Sequence, residues 1–324
     1  MNILVYEHIL GEEIYKNSPS LLQNEAKLII SNIIRDLSTN YRKSKITLLT
    51  NKKNKNFFKN ISVLERNHNL DLISDFKKYE KYYEKVLILA PEEDYILYDI
   101  IKELEENGIS HLNSSSKAIK ITTNKEVTND ILKKFMKNTL TMYKDYKEID
   151  AYESIVSKKI DGIGADDLFI FKNRSELEKN INKLSKKHYY QKYKEGLIIG
   201  LNVFADKNAY KILSINEQVY QGKEKYEIYL KNIIIGKHNH LIKNFDIIVR
   251  NILENFDGLS GFFGIDFILS ANNEIFFLEI NPRLTTSFSF LRDSLGFNPF
   301  QLYNDTVFDF DIKNNKILSK NLII

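Results

Sequence analysis

Residues 261–287 read GFFGIDFILSANNEIFFLEINPRLTTS, and the prediction of the fold rests on this segment. Its two apolar runs, 262–269 and 275–280, are rich in Phe and Ile and are separated by five small or polar residues. Runs of this length on either side of turn residues predict a β-hairpin. With Asn272 and Asn273 at the centre of the turn, the register of the strands places two acidic side chains directly opposite each other.

The two facing acids are Asp266 and Glu279, and Asn281 shares the face of Glu279 because side chains alternate along a strand. Like charges that face each other across a hairpin destabilise it unless a positive charge lies between them. Carboxylate and carbonyl oxygens suit Mg²⁺, which proteins often bind together with nucleotide phosphates. The alternative is a hairpin with one wet face whose acids are simply solvated. Pro282 ends the strand and presents Arg283 to the same space, which favours a site.

The order Asp266, then Glu279-Ile280-Asn281-Pro282-Arg283, resembles the metal-binding signature of the ATP-grasp superfamily. In that family an Asp and a Glu-x-Asn hold the Mg²⁺ ions on ATP, and the following arginine steers the carboxylate substrate or its acyl phosphate in several members. The resemblance implies that Asp266, Glu279 and Asn281 bind Mg²⁺ or Mn²⁺ and that Arg283 is catalytic and binds substrate. It also implies ATP as the nucleotide, and an ATP-grasp fold of α/β and α+β class preceded by a Rossmann-like α/β domain.

Length and composition limit the class of protein. The chain has 324 residues, of which 43% are hydrophobic and 28% charged, and its formal net charge is +4. These values are ordinary for a globular protein and predict no nucleic-acid partner. Cysteine is absent from the sequence, which excludes disulfides and thiolate chemistry. Without a basic leader or an apolar run of the ~18 residues that a membrane span needs, we expect a cytoplasmic protein with small-molecule substrates and no membrane partner. Homodimerisation is left open.

Residues 1–115 alternate apolar runs and helical patterns at the spacing of βαβ units, which predicts a parallel sheet. The predicted strands are residues 3–6, 46–49 and 86–89. Residues 51–82 carry no pattern that assigns an element. Because ligands bind beyond the carboxyl ends of such strands, Glu7 and the pair Glu92-Glu93 are candidate anchors for a substrate amine. Ordinary loop polarity is the alternative.

Residues 116–195 resemble the nucleotide lid of the ATP-grasp family. A helix is predicted over 116–136, and Lys125 lies within it. Members of the family carry a lysine near this point, often as Asp-Lys, that contacts the α-phosphate of ATP, whereas this chain has Asn124-Lys125. A lysine on a solvated helix face is the alternative.

A glycine-containing loop is predicted between two apolar runs of the lid, in the segment KKIDGIG that begins at Lys158. The glycines Gly162 and Gly164 allow backbone N–H groups to approach phosphate closely, and a simple turn is the alternative. The family has Lys-Pro-x-Asp-Gly-x-Gly here. The resemblance therefore gives Lys158 the position of the ATP-binding, catalytic lysine, with Lys159 in place of the proline.

A helix predicted over 175–187 leads to the segment YYQKYKEG, which resembles the hinge between lid and body that holds adenine. The resemblance implies that Gln191 contacts adenine through its side chain and that Tyr193 and Lys194 offer backbone groups. Many relatives have a ribose-binding glutamate two residues after the glycine. This chain has Ile198 there, so no residue is assigned to the ribose.

Residues 196–324 complete the body of the predicted fold. Two antiparallel strands are predicted over 197–204 and 209–215, and helices over 242–256 and 285–295. Residues 300–324 have weak patterning and no assigned function. The chain thus divides into a substrate domain, 1–115, a lid, 116–195, and a body with the metal site.

These motifs together imply an ATP-dependent carboxylate–amine ligase, in which a carboxylate attacks the γ-phosphorus of ATP and an amine then displaces phosphate from the acyl phosphate. The turn Ala90-Pro91-Glu92-Glu93 and the ending NPRLTTS resemble one archaeal branch, which joins tyramine to the γ-carboxylate of glutamate in methanofuran biosynthesis. The alternatives are another ATP-grasp ligase, a carboxylase, or a regulatory module that binds nucleotide without chemistry. Retention of every metal-ligand position argues against the regulatory module.

Overall fold

Two β-sheets organise the protein, a parallel sheet in the first third of the chain and an antiparallel sheet in the remainder. The computed structural model describes residues 2–17, 20–40, 45–58, 61–162, 168–184, 187–207, 209–224, 226–303, 312 and 315–321. The predicted α/β domain followed by an α+β part is confirmed. Within the described residues, no helix is both long and apolar enough to cross a lipid bilayer.

The parallel sheet has the strand order β3-β2-β1-β4. Its strands are β1 (Ile3–Glu7), β2 (Ile46–Thr50), β3 (Ser62–Glu65) and β4 (Lys85–Leu89). The helices of this region are α1 (His8–Gly11), α2 (Ser20–Asn40), α3 (Leu72–Tyr79) and α4 (Ile96–Glu106). Because side chains alternate along a strand, Val5 packs with α2 on one face and Leu4 packs with α3 and α4 on the other.

The central strand of this sheet is β1, and all five of its residues are buried. Since β2 and β4 lie on opposite sides of β1, the carboxyl ends of β1 and β4 flank a topological switch point, where open α/β sheets bind their ligands. The sequence pattern missed β3 and α3. The strand β3 is short and none of its residues is fully buried, so it lacks the apolar run that identified its neighbours.

The antiparallel sheet has the strand order β12-β11-β8-β9-β10-β6-β5-β7, with β13 beside β10. Its strands are β5 (Ile155–Lys159), β6 (Phe169–Phe171), β7 (His188–Lys192), β8 (Leu197–Ala205), β9 (Tyr210–Glu224), β10 (Glu227–Ile235), β11 (Gly261–Leu269), β12 (Ile275–Asn281) and β13 (Leu318–Asn321). The helices of this region are α5 (Ser116–Thr123), α6 (Lys125–Leu132), α7 (Arg174–Asn180), α8 (Ile242–Asn255) and α9 (Leu291–Leu295). The predicted pairing of β8 with β9 is confirmed, although β9 is twice as long as expected.

Two of the predicted helices were wrong in extent. The stretch 116–136 contains two helices, because Asn124 leaves the helical conformation (φ −87°, ψ 100°) and its side chain caps α6. The helix predicted over 175–187 ends at Asn180, whose side-chain amide donates to the carbonyl of Glu176 at 2.8 Å. In both cases an asparagine side chain forms hydrogen bonds with nearby backbone groups, and these bonds compete with the regular hydrogen bonds of the helix.

Helix α8 confirms the prediction over 242–256, whereas the helix predicted over 285–295 begins as a 3₁₀ turn, Thr286–Phe290, and becomes α-helical only in α9. One apolar cluster joins the two sheets, with Val5 of β1 and Phe262 of β11 in the same core. Aromatic side chains surround Phe262 at ring-centroid distances of 4.8–5.3 Å, and they are Phe204, Phe288, Phe300 and Tyr303. This packing fixes the first domain against the strand that carries Asp266.

Candidate active site

The hairpin of β11 and β12 pairs Asp266 directly with Glu279, as the sequence predicts. The turn itself was predicted wrongly. Leu269 pairs with Ile275, so the turn is centred on Asn272 alone. A register shift next to Asp266 then moves the pairing by one residue and brings the two acids opposite each other. Bulges of this kind often lie beside active sites, where they redirect side chains.

The two faces of this hairpin have different surroundings. Ile265, Phe267 and Ile280 pack into the apolar cluster formed with α8. Because side chains alternate, Asp266 and Glu279 lie on the opposite face, which α8 does not cover.

Asp266 accepts two hydrogen bonds from amide side chains. Nε2 of Gln218 donates to its Oδ1 at 2.8 Å, and Nδ2 of Asn281 donates to its Oδ2 at 3.0 Å. Burial, and then the charge of Glu279, raises the pKa of Asp266 to about 7. Even with Lys158 nearby, the carboxyl group is therefore partly protonated at neutral pH when no cation is bound.

These residues fit a hard divalent cation. Two carboxylates and an amide supply the oxygen ligands that Mg²⁺ and Mn²⁺ prefer. A bound cation would also offset the burial and the repulsion from Glu279 that raise the pKa of Asp266. Among the described residues, no three His, Asp or Glu side chains gather into a metal-binding group. A cation at this position would thus take its third protein oxygen from Asn281.

Two lysines lie against the acids. Lys125, the first residue of α6, has its Nζ 3.4 Å from Oε2 of Glu279, and both side chains are nearly buried. The same Nζ donates to the carbonyl of Gly162 at 2.8 Å. Burial lowers the pKa of Lys158, and the nearby Glu279 and Asp266 offset this only in part. The lysines, the first glycine of the loop and the acids are thus brought together, whereas Gly164 lies outside the described residues.

Arg283 lies where the body meets the parallel sheet. Its Nε donates to Oε2 of Glu92 at 2.9 Å, and the two side chains are only 17% and 8% exposed. Oε1 of Glu92 is buried and has no hydrogen-bond partner among the described residues. Because a buried carboxylate oxygen without a hydrogen-bond partner is costly, this atom is a candidate acceptor for a donor group of a ligand.

Glu7 caps helix α1, with its Oε2 accepting the amide of Leu10 at 2.7 Å. Burial raises the pKa of Glu7 to about 7, and Glu25 adds to the rise, whereas backbone hydrogen bonds and Arg283 oppose it. Glu25 accepts a hydrogen bond from Thr286 at 2.7 Å and was not predicted as a site residue, because one acid on a long helix has no distinguishing spacing. Three acids and one arginine therefore surround the switch point.

The acidic turn, residues 92–94, also contacts three residues of the antiparallel-sheet region, Lys159, Asp161 and Lys187. Glu93 forms an ion pair with Lys159, and Asp94 forms one with Lys187. The backbone N–H of Asp94 donates to Oδ2 of Asp161 at 3.1 Å, and Lys187 lies 3.3 Å from the same oxygen. Asp94 has a left-handed backbone (φ 51°), which a non-glycine residue seldom adopts. Sequence patterns could not reveal the contacts of the acidic turn, because Glu93 and Asp94 lie 66 to 93 positions from their partners.

The predicted adenine-binding residues lie at the end of β7. Gln191 is buried and pairs with Val156 of β5. The N–H of Tyr193 donates to the carbonyl of Ser154 at 2.8 Å, so the carbonyl is the backbone group that Tyr193 can present. Nζ of Lys194 lies 4.1 Å from the centre of the Phe276 ring, a cation–π contact that joins the hinge to the hairpin.

Sequence reasoning missed three further side chains near the acids, and they are Gln218, Tyr220 and Tyr189. Tyr220 donates to Oε1 of Gln218 at 2.8 Å, and Gln218 in turn donates to Asp266. Tyr189 pairs with Lys158, and burial followed by the charge of Glu279 raises its pKa. The polar triplet Asn216-Glu217-Gln218, which follows the run Ile212-Leu213-Ser214-Ile215, is the signal that could have directed attention to β9.

Comparison with known proteins identifies the family. A model described as the ATP-grasp domain matches residues 120–287, and one described as the pre ATP-grasp domain matches residues 44–119. The chain belongs to the ATP-grasp family. Proteins with the ATP-grasp fold use ATP, and both the resemblance seen in the sequence and the predicted fold class are confirmed.

Its relatives include two tyramine–L-glutamate ligases. The protein from Methanocaldococcus fervens is 29% identical over 233 residues, which are 71% of this chain and 69% of that protein. The protein from Methanocaldococcus jannaschii is 27% identical over 266 residues, which are 81% of this chain and 72% of that protein. Among solved structures, an ATP-grasp superfamily protein from Archaeoglobus fulgidus aligns with a TM-score of 0.70 at 19% identity, over 94% of this chain and 88% of that one.

Proposed function

We propose that this protein is an ATP-dependent ligase that joins a carboxylate to an amine through an acyl phosphate. One observation carries the proposal: Asp266 and Glu279 face each other on the side of the hairpin that α8 does not cover, with Lys125 and Lys158 against them and Arg283 close by in the chain. The facing carboxylates, the raised pKa of Asp266 and the lowered pKa of Lys158 suit a nucleotide phosphate chain and its divalent cation better than they suit an empty surface.

In this proposal Asp266, Glu279 and Asn281 hold Mg²⁺ or Mn²⁺, which neutralises phosphate charge when bound. Lys125 and Lys158 add positive charge beside the phosphates. The backbone of the loop that contains Gly162 and Gly164 covers the phosphates, and the hinge residues Gln191, Tyr193 and Lys194 hold adenine. Catalysis is then mainly positioning and charge neutralisation, as in other phosphoryl transfers.

The substrates meet at the switch point, beside Arg283. The guanidinium holds the carboxylate, one of whose oxygens attacks the γ-phosphorus of ATP and releases ADP. The amine nitrogen then attacks the acyl carbon, the bond to the bridging oxygen breaks, and phosphate leaves with that oxygen. Glu7, Glu25 and Glu92 provide the negative field that attracts an ammonium group, and the unpartnered oxygen of Glu92 can accept its N–H.

We propose glutamate, through its γ-carboxylate, and tyramine as the pair that is joined, which is the pair named for the two relatives. Residues 1–115 would then form the substrate domain, 116–195 the lid and 196–324 the body. The test supplies ATP, Mg²⁺ or Mn²⁺, glutamate and tyramine and looks by mass spectrometry for γ-glutamyltyramine.

Other outcomes of the same assay separate the alternatives. ADP release with a different carboxylate and amine keeps the ligase and discards this pair. Phosphate release that needs bicarbonate and no amine indicates a carboxylase. Nucleotide binding without turnover for any pair indicates a regulatory module and contradicts the proposal.

A further inference from the structure

A missing side chain in the middle of the antiparallel sheet opens a path between two strands that are not neighbours. Gly200 of β8 pairs with Asn216 of β9 on one side and with Asp266 of β11 on the other. A Cβ at this position would lie 2.5 Å from Nε2 of Gln218 and 2.9 Å from Oδ1 of Asp266. The glycine is thus the reason that the amide of Gln218 can cross β8 to reach Asp266.

The length of this crossing explains the residue type. Strands two apart in a sheet are separated by about 9.5 Å, and a long side chain with a terminal donor is needed to span that distance over a glycine. Gln218 supplies this donor, and the bond from its Nε2 to Asp266 is 2.8 Å long. An ordinary side chain at position 200 would occupy the space that the amide needs.

Tyr220 fixes which end of the amide faces Asp266. Its hydroxyl donates to Oε1 of Gln218 at 2.8 Å, so the nitrogen of the amide is left for the carboxylate. Burial, with Asp266 and Glu279 nearby, keeps the pKa of Tyr220 well above its ordinary value, so the hydroxyl remains a donor. Together with the bond from Asn281, the carboxylate of Asp266 has an amide donor on each oxygen.

We infer that Gln218 is a positioning residue, oriented by Tyr220 and admitted by Gly200, that holds the carboxylate of Asp266 for a divalent cation. Two amide donors fix the plane of the carboxylate and favour its charged form beside Glu279. Such outer partners of metal ligands commonly change metal affinity by ~10–100-fold when they are removed. This inference rests on the proposed function, because it assumes that Asp266 binds the metal.

The experiment measures Mn²⁺ affinity in the presence of ADP by isothermal titration calorimetry. Gln218→Met keeps the length of the side chain and removes its hydrogen bonds, and we expect a loss of affinity of ~10–100-fold. Gly200→Ala should cause a loss at least as large, because the added methyl group would clash with both the amide of Gln218 and Oδ1 of Asp266. The matched controls are Gln221→Met, an exposed position on the same strand, and Gly222→Ala, where an added Cβ meets nothing within 4 Å.

A double variant distinguishes positioning from general damage to the sheet. Because Tyr220 acts on Asp266 only through Gln218, Tyr220→Phe combined with Gln218→Met should bind Mn²⁺ about as weakly as Gln218→Met alone. Tyr220→Phe, which removes a single oxygen and keeps the ring, should weaken binding less than Gln218→Met. It serves as the test if the other variants fail to fold.

Each result supports or overturns the inference. If the parent binds Mn²⁺ with ADP and Gln218→Met and Tyr220→Phe bind it equally well, the inference is wrong and the proposed function stands. Additive losses in the double variant would also overturn it. If the parent binds no Mn²⁺ with any adenine nucleotide, the proposed metal site fails and the positioning role fails with it.

Discussion

The carboxylate of Asp266 should destabilise the protein when neither metal nor nucleotide is bound. Its pKa is about 7 in the folded protein, against 3.8 for an ordinary aspartate. A carboxyl group with a raised pKa in the folded state lowers stability as the pH rises, here between about pH 4 and 7. At ~1.4 kcal/mol per pKa unit, the ceiling on this cost is about 4 kcal/mol at pH 8.

Asp266→Asn removes that charge but not without loss. In the parent, Gln218 and Asn281 donate to different oxygens of the Asp266 carboxylate. An asparagine has an NH₂ group in place of one of these oxygens, so one hydrogen bond is lost, which costs ~1–3 kcal/mol. We therefore expect the variant to be about 1–3 kcal/mol more stable than the parent at pH 8 and no more stable at pH 5. Folding should survive, whereas ligase activity should fall by ~10²–10³-fold, the scale for losing one preorganised electrostatic contact.

The assay is thermal unfolding of the metal-free and nucleotide-free protein at a series of pH values, repeated with Mg²⁺ and ATP. The parent should gain stability from Mg-ATP, by ~2.7 kcal/mol at a ligand concentration of 100 times Kd, and the variant much less. Glu274→Gln, an exposed acid in the turn of the same hairpin, is the control and should follow the parent. Parallel pH profiles for the parent and Asp266→Asn would refute the reasoning.

Three further substitutions test other parts of the site. Arg283→Lys should lower kcat/KM for the carboxylate by ~10–100-fold and leave Mg-ATP binding unchanged, because an ammonium cannot bind two oxygens as a guanidinium does. Activity equal to the parent would mean that Arg283 does not bind the carboxylate. Because burial raises the pKa of Glu7 to about 7, the ligand-free parent should lose stability as the pH rises from about 5 to 7. Glu7→Gln should reduce this loss, and its amide oxygen can still cap α1. An unchanged slope of stability against pH in thermal unfolding contradicts this. Lys187→Met should raise KM for ATP by about two- to fivefold and weaken the dependence of this KM on salt concentration. The expected change is small because an exposed ion pair contributes little. Lys192→Met, which removes another exposed pair of the lid, should leave KM unchanged.

The acidic face of the hairpin was predictable because strand alternation is a local rule. Because Asp266 faces Glu279 across the hairpin and side chains alternate along each strand, Asp266, Glu279 and Asn281 could be assigned to one face from the sequence. The register shift beside Asp266 was not predictable, since it depends on how β12 packs and not on a turn residue. The predicted turn would pair Asp266 with Glu279 directly, whereas in the structure the bulge produces this pairing.

The parts of the site that escaped prediction are those held by contacts between distant segments. Gln218 reaches Asp266 only because Gly200 lies between them, and no residue spacing within β9 predicts this contact. Lys187 meets Asp94 across 93 positions of sequence. The helix over 116–136 was misjudged for a local reason, because the capping strength of Asn124 was not weighed against the apolar period on both sides of it.

The most direct test of the account follows one oxygen atom. The protein is incubated with Mg-ATP, amino acids labelled with ¹⁸O in their carboxyl groups, glutamate among them, and a panel of amines that includes tyramine. If a carboxylate attacks the γ-phosphorus, the phosphate released on amide formation carries one ¹⁸O atom from the carboxyl group, and its release depends on the amine. Phosphate that is released without the label, or no phosphate from any combination, would contradict the account.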